Sequence, residues 1–310
     1  MALTPAQRHR ARVLAEKAHA ASPFGIEVQG SAYELMLVKL ATDKRTLKSM
    51  QSVQLKRDAK ARMLPDYLPW IEGTLAADQG GKDVVLATVM VWAIDAGAYG
   101  LGLRMASYVL QHSLPLPDQY QRTAAALVMD EFSDAYLRGQ WNPLKPVTDG
   151  SGNTVLVPDD THPAEHLTGA AGITEGKDAP DQARAKLYKA TAYALLGKVQ
   201  TAEEAQLDKL PGDTIAGAHA LLEQALHLDA MSGVKKDIER ITRKQRLLHK
   251  AQEQQAAADV AAATDAAQEP PAQTPQAVET QPKAAPAPKP AARKKVTRTA
   301  PAKTTGKAQR

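Results

Sequence analysis

The run SAYELMLVKLATDKRTLKSMQSVQLKRDAKARM, residues 31–63, decides the fold class. It contains no Gly and no Pro, and its spacing predicts one long helix from about Ser31 to Met63. At roughly 100° per residue, Tyr33, Met36, Leu40, Leu47 and Met50 fall on one side. Arg45, Lys48, Lys56 and Lys60 fall broadly opposite, with Lys44 and Arg62 at the border of that face. Asp43 and Asp58 lie nearer the apolar seam and do not dilute the cations. An apolar seam backed by a basic face suits a helix that packs or self-associates while turning positive charge outward. A solvated surface helix with ordinary Lys and Arg is the alternative.

Reading outward, Thr4-Pro5-Ala6-Gln7 starts a helix: Thr caps, Pro suits the first helical position, and Gln three residues on closes the capping box. This helix runs to about Ala20 and is broken by Ser22-Pro23-Phe24-Gly25. On the other side, Leu64-Pro65 ends the long helix, since Pro disfavours the helical conformation before it. Asp66 caps a following helix that carries Tyr67, Leu68, Trp70 and Ile71. Residues 82–95 (KDVVLATVMVWAID) form a core helix, Ala96-Gly97 a turn, and Ala98–Ser113 and about Asp118–Arg138 two more helices. Residues 139–180 are rich in Gly, Pro, Asp and Thr and read as a long loop, with a small hairpin at Pro146–Pro158 turning on DGSGN. Helices resume at Asp181–Leu196, Asp213–Leu228 and Val234–Gln255. From about Ala256 the chain turns to Ala, Gln, Pro and Thr and then to Lys/Arg among Pro and Ala, a composition that cannot bury a core and reads as disordered.

The expected fold is all-α, built of helical hairpins, with a long basic N-terminal helix and a disordered C-terminal tail. Val84–Gly97 with residues 98–106, and Lys186–Gly197 with Ala216–Asp229, look like tetratricopeptide-type helix pairs, but they do not recur at a fixed spacing of about 34 residues. The expected organisation is basic helices over 1–63, a hairpin core over 64–138, a linker over 139–180, a second helical region over 181–255 and a tail over 256–310.

Composition narrows the function classes. Hydrophobic residues make up 44% of the chain but aromatics only 4%, which favours close packing of small-residue helices over a large β-sandwich. The absence of cysteine excludes disulfides and thiolate metal sites. No segment reads as a signal peptide, and the longest apolar run, Val84–Ile94, is far short of a membrane span. The reading is a soluble cytoplasmic protein with no membrane contact.

The net charge of +5 hides an asymmetry. Residues 39–62 carry a net +6 and residues 283–310 a net +9, while residues 63–282 carry −11. Such a distribution suits a polyanion contacted from the ends. The candidate DNA-binding residues are Arg8, Arg10, Arg12, Lys44, Arg45, Lys48, Lys56, Lys60 and Arg62, each able to neutralise a phosphate. The tail lacks interleaved aromatics and should not stack on bases.

Catalytic patterns are sparse. Ala171–Asp178 (AGITEGKD) lacks the leading Gly and the Ser/Thr of a phosphate-binding loop, so ATP hydrolysis is assigned to another chain. His162-Pro163-Ala164-Glu165-His166, preceded by Asp159 and Asp160, matches an H-x-x-E-H string. Metal-dependent phosphodiester cleavage needs clustered carboxylates around a cation such as magnesium. Asp130 and Asp134, one helical turn apart beside Glu131, are the nearest set, and Asp237 and Glu239 near Lys235 and Lys236 another. No catalytic residue follows from these, and no cofactor is assigned beyond magnesium in the nuclease case.

Several ordered blocks carry a resemblance. Pro5-Ala6-Gln7-Arg8-His9, Tyr33–Ala41, Asp43, Arg45–Lys48, Leu64-Pro65, Leu68-Pro69-Trp70, Thr88–Trp92 with Asp95 and Gly97, Leu116-Pro117, Arg122-Thr123, Arg184–Leu187 and Gly233–Arg240 resemble the small terminase subunit of myovirus-type temperate phages. The resemblance covers roughly residues 5–136 and 183–245. It implies recognition of a cohesive-end site on concatemeric phage DNA, partnership with a large ATPase subunit, homo-oligomer formation, and a part in cutting and packaging the genome. The family is usually labelled the endonuclease subunit, a label that no residue of this sequence supports by itself. The loop at 139–180 is longer than the family suggests, and the Ala/Pro/Lys tail is extended. Two other readings stay open: a metal-dependent endonuclease, and a helical-repeat scaffold that binds protein alone.

Overall fold

A computed structural model describes residues 3–22, 24–117, 120–150, 152–199 and 206–266, with side chains to 260. The chain clusters into a main unit, residues 1–257, and a second, residues 258–310, of which only the last turns of a helix are described. The elements are α1 (Pro5–Ala20), α2 (Ser31–Ser49), α3 (Val53–Ala77), α4 (Val84–Asp95), α5 (Tyr99–Gln111), α6 (Ala124–Leu137), β1 (Leu144–Thr148), β2 (Thr154–Pro158), α7 (Pro163–Ile173), α8 (Asp181–Leu195), a 3-10 turn (Leu207–Lys209), α9 (Gly212–Leu228) and α10 (Lys235–Ala266). Among the described residues the fold is all-α apart from one antiparallel two-stranded hairpin.

The start of α1 is as the sequence predicts. The Thr4 hydroxyl accepts from the Gln7 amide, and the Gln7 side chain accepts from the Thr4 amide at 2.9 Å. The long helix is different: it is two helices, broken at Met50–Ser52. Met50 is extended, and the Ser52 hydroxyl caps α3 by accepting from the Leu55 amide at 3.3 Å. The break lets the seam close on its own chain. Tyr33, Leu40 and Leu47 of α2 and Ala59 and Leu64 of α3 are all buried in one core, so the seam is consumed by packing within the chain.

Leu64-Pro65 does not end a helix either, because Pro65 and Pro69 both lie inside α3. Each interior Pro costs about 3 kcal/mol through a lost N–H and a clash with the preceding turn. The same stretch buries Leu64, Tyr67, Leu68, Trp70 and Ile71, each contributing roughly 1.5–3 kcal/mol by leaving water. Burial outweighs the prolines. Gly73 permits a close helix contact: a Cβ there would sit 2.3 Å from the Arg12 carbonyl oxygen and 2.6 Å from the Ala15 Cβ, so α1 lies directly on α3.

Helix α4 is the centre of the core, with every residue from Val85 to Ile94 buried. Its cap, Asp83, joins three helices. Asp83 Oδ1 accepts from the amides of Val85 (2.8 Å) and Leu86 (3.0 Å). Its Oδ2 accepts from the Trp70 indole at 2.7 Å and lies 3.1 Å from His19 Nε2 of α1. The paired helices α4/α5 and α8/α9 are the hairpins the sequence singles out, and the tetratricopeptide likeness goes no further than these hairpins.

The stretch 139–180 is more ordered than a loop. The hairpin forms, and the Asp149 amide donates to the Asn153 carbonyl at 2.8 Å beyond its last strand pair. It is followed by α7, which starts where Pro163 takes the first helical position behind His162. The helix expected from Asp118 begins at Ala124, capped by Thr123. The expected tail from Ala256 gives way at first to helix, since α10 continues to Ala266; the remaining tail, 267–310, lies outside the described residues. Among the described residues no helix is long and apolar enough to cross a membrane.

Candidate nucleic-acid interface

The nine predicted DNA-binding cations fall into two groups. In the first, the side chain is engaged within the fold or half-buried. Arg8 Nε donates to the Leu3 carbonyl at 3.2 Å and its Nη1 to the Thr154 hydroxyl at 2.5 Å, tying α1 to β2. Lys60 is paired with Asp95 at the end of α4. Its neighbour Arg57, not predicted as a site residue, donates to the Asp95 carbonyl at 2.8 Å and the Gln140 carbonyl at 3.4 Å. Lys56 is half-buried and lines the same groove of about 310 Å³ between α3 and α6. Lys44 is half-buried, and burial pushes its ammonium below the usual lysine range.

In the second group the charge faces water. Arg10 and Arg12 on α1, Arg45 and Lys48 on α2 and Arg62 on α3 are exposed. Arg45 makes only a local contact, from Nε to the Ala41 carbonyl at 3.3 Å. The break after Ser49 places Arg45 and Lys48 on one helix and Lys56, Lys60 and Arg62 on another, so the single basic face expected for one long helix does not exist.

Of the carboxylates weighed as nuclease candidates, Asp130, Glu131, Asp134 and Asp237 are also engaged, while Glu239 is exposed. Arg122 holds Asp130 at 2.7 Å and Glu131 at 3.1 Å, and Arg138 holds Asp134 at 3.0 Å. Lys186 reaches both Asp130, at 3.4 Å, and Asp134. Burial, with Asp95 nearby, pushes the Glu131 carboxyl up. Asp237 is held by Lys198 and Tyr193 inside the protein. Among the described residues, no three His, Asp or Glu side chains are grouped so as to hold a metal ion.

The H-x-x-E-H string does not form a ligand pair. His162 is exposed, and its Nδ1 accepts from the Ala164 amide at 3.3 Å as the cap of α7. His166 is buried against Tyr99 and Trp141, with ring centroids 5.9 and 6.1 Å away. Burial pushes its imidazole below the usual range despite Asp159 Oδ2 at 3.5 Å. Lys177, in the string tested as a phosphate loop, donates to the Leu110 carbonyl at 3.0 Å.

Comparison with known proteins places this architecture. Residues 37–182 match the family described as phage small terminase subunit. The chain is 36% identical over 242 residues to the terminase, endonuclease subunit, of Escherichia phage P2, covering 77% of this chain and 85% of that protein. The chain belongs to the phage small terminase subunit family. No solved structure matches it. The family match runs from the middle of α2 into the first turn of α8. It therefore takes in Lys44, Arg45, Lys48 and Arg62 but neither α1 nor α10. Membership gives the chain a role in phage DNA packaging.

Proposed function

We propose that this chain recognises the packaging, or cohesive-end, site on concatemeric double-stranded phage DNA and acts with the ATPase large subunit in cutting and packaging the genome. Family membership supplies the packaging role. The observation that carries the DNA-binding part is the outward charge of Arg45 and Lys48 on α2, with Arg62 on α3 and Arg10 and Arg12 on α1. Unpaired guanidinium and ammonium groups release counterions from DNA on contact, which makes binding strong at low salt and weak at high salt. Lys60 and Arg8, engaged within the fold, are not part of this set.

The relative from phage P2 is named an endonuclease subunit. In this reading cleavage belongs to the assembled complex, because Asp130 and Asp134, the nearest carboxylate set, are neutralised by Arg122, Arg138 and Lys186. Self-association is part of the same proposal. The groove of about 580 Å³ bordered by Leu14, Leu35, Met36 and Trp70 leaves Leu35 71% exposed, and a second copy of the chain is its proposed occupant. A mass in solution equal to a single chain at all concentrations would remove that part.

The deciding experiment compares a duplex holding the cohesive-end site with a scrambled duplex of equal length, with salt varied around roughly 0.1 M. Tighter binding to the true site that falls steeply with salt establishes a packaging-site reader. Equal, salt-sensitive binding to both leaves a sequence-blind clamp and moves recognition to the large subunit. Nicking of plasmid by the purified chain with magnesium alone would favour the endonuclease reading instead.

A further inference from the structure

The segment 63–282 is acidic on average, but its charge is not evenly spread. Residues 235–250 hold seven Lys/Arg against Asp237 and Glu239, a net +5, which leaves −16 for the rest of that segment. All of these residues lie on α10.

The structure sorts them by face. Ile241 is buried, and Ile238 and Leu248 pack against the core. On that side the helix is pinned by polar contacts. Lys198 Nζ and Tyr193 Oη donate to the two oxygens of Asp237 at 2.7 and 2.8 Å, His219 Nε2 meets the Thr242 hydroxyl at 2.9 Å, and Lys244 pairs with Asp208. On the opposite side Lys236, Arg243 and Lys250 recur at seven-residue spacing, two helical turns apart, flanked by Lys235 and Arg246. All five are exposed, and among the described residues none of them forms an ion pair. Glu239 is the one acid on the stripe.

We propose that this stripe on α10 is a second double-stranded DNA-binding surface, separate from the N-terminal helices, with Lys235, Lys236, Arg243, Arg246 and Lys250 neutralising backbone phosphates. The proposal extends the DNA-binding reading above and rests on it for the class of partner. Three physical features point to DNA. The cations sit on one rigid rod pinned from behind, so little order has to be imposed on binding. At 1.5 Å per residue they span about 22 Å, a length over which duplex DNA presents one negative charge per roughly 1.7 Å. A helix about 10–12 Å across with its side chains also matches the major groove, about 12 Å wide.

The test is salt-titrated binding of the full chain to a duplex of arbitrary sequence, comparing the native protein with the triple variant R243Q/R246Q/K250Q and, in parallel, with R45E/K48E. Loss of three phosphate contacts should flatten the log–log salt slope by about 2–3 and weaken binding about a hundredfold or more near 0.1 M salt. The urea midpoint should not move, since all three side chains are exposed. Glu239→Gln should tighten binding, a gain that loss of fold does not imitate. If the triple variant binds with native affinity and slope while R45E/K48E is weakened, the α10 surface is overturned and the N-terminal reading stands. If neither variant changes binding, both fall. Native DNA binding with lost capture of the large subunit would overturn the inference in favour of a protein-binding face.

Discussion

The N-terminal helices and α10 are both rich in Lys and Arg, but they use that charge differently. On α2 and α3 much of it is spent inside the fold: Lys39 bridges Asp43 and Asp66 at 3.0 Å each, Lys60 pairs with Asp95, and Arg57 fastens two carbonyls. On α10 Lys235, Lys236, Arg243, Arg246 and Lys250 stand on the face away from the core, and the contacts that fix the helix come from Asp237, Thr242 and Lys244. Positive charge counted along a sequence is therefore not positive charge available to a ligand. Availability depends on which acids and carbonyls the fold brings within reach, and those come from distant parts of the chain.

The most damaging way to break the comparison is to unseat α10. Asp237 Oδ1 lies 2.7 Å from the Lys198 ammonium, whose side chain is 1% exposed. Asp237→Ala takes the carboxylate out of this buried pair, and removing one partner of a buried pair costs about 3–5 kcal/mol. Urea unfolding should show a loss of that size, and the salt slope of DNA binding should fall with it if α10 contributes phosphate contacts. A midpoint within about 0.5 kcal/mol of native would mean that the pair does not hold the helix. Replacing both partners, Lys198→Met with Asp237→Leu, should recover much of the stability, since a buried pair is often matched by apolar residues of similar volume.

Much of this fold is readable from local pattern. The capping box at Thr4, the seam of Tyr33, Leu40 and Leu47, the wholly apolar α4 and the hairpin on DGSGN follow from spacing and turn chemistry within a few residues. The misreadings share a cause, which is that tertiary packing overrode a local rule. The break before Ser52 carries no Gly or Pro, and only the burial of Leu47 and Ala59 together requires it. Pro65 and Pro69 stay helical because their neighbours fill the core. His19, Trp70 and Asp83 meet across 13 to 64 positions of sequence, Gly73 meets Arg12 and Ala15 of α1, and no spacing rule links them. The candidate site was half legible. Arg45 and Lys48 are outward as expected, but the partners of Arg8 and Lys60 were invisible, and the α10 stripe was masked by averaging its charge with an acidic region.

The finest cut separates a cation that builds the scaffold from one that reaches DNA. Lys60 and Arg45 are the sharpest pair, because the sequence places them on one face and the structure does not. The Lys60 side chain is 17% exposed and its partner Asp95 27%, so this ion pair is partly wet and is worth about 1 kcal/mol or less. Lys60→Met should lower the urea midpoint by that small amount and leave the salt slope of DNA binding where it was, because an ammonium already holding a carboxylate releases no counterion from DNA. Arg45→Gln should do the reverse, leaving stability within about 0.5 kcal/mol of native and flattening the slope by about 0.9. A Lys60 variant that flattened the slope as Arg45→Gln does would show that the pair opens on DNA, and the distinction between spent and available charge on α3 would be lost.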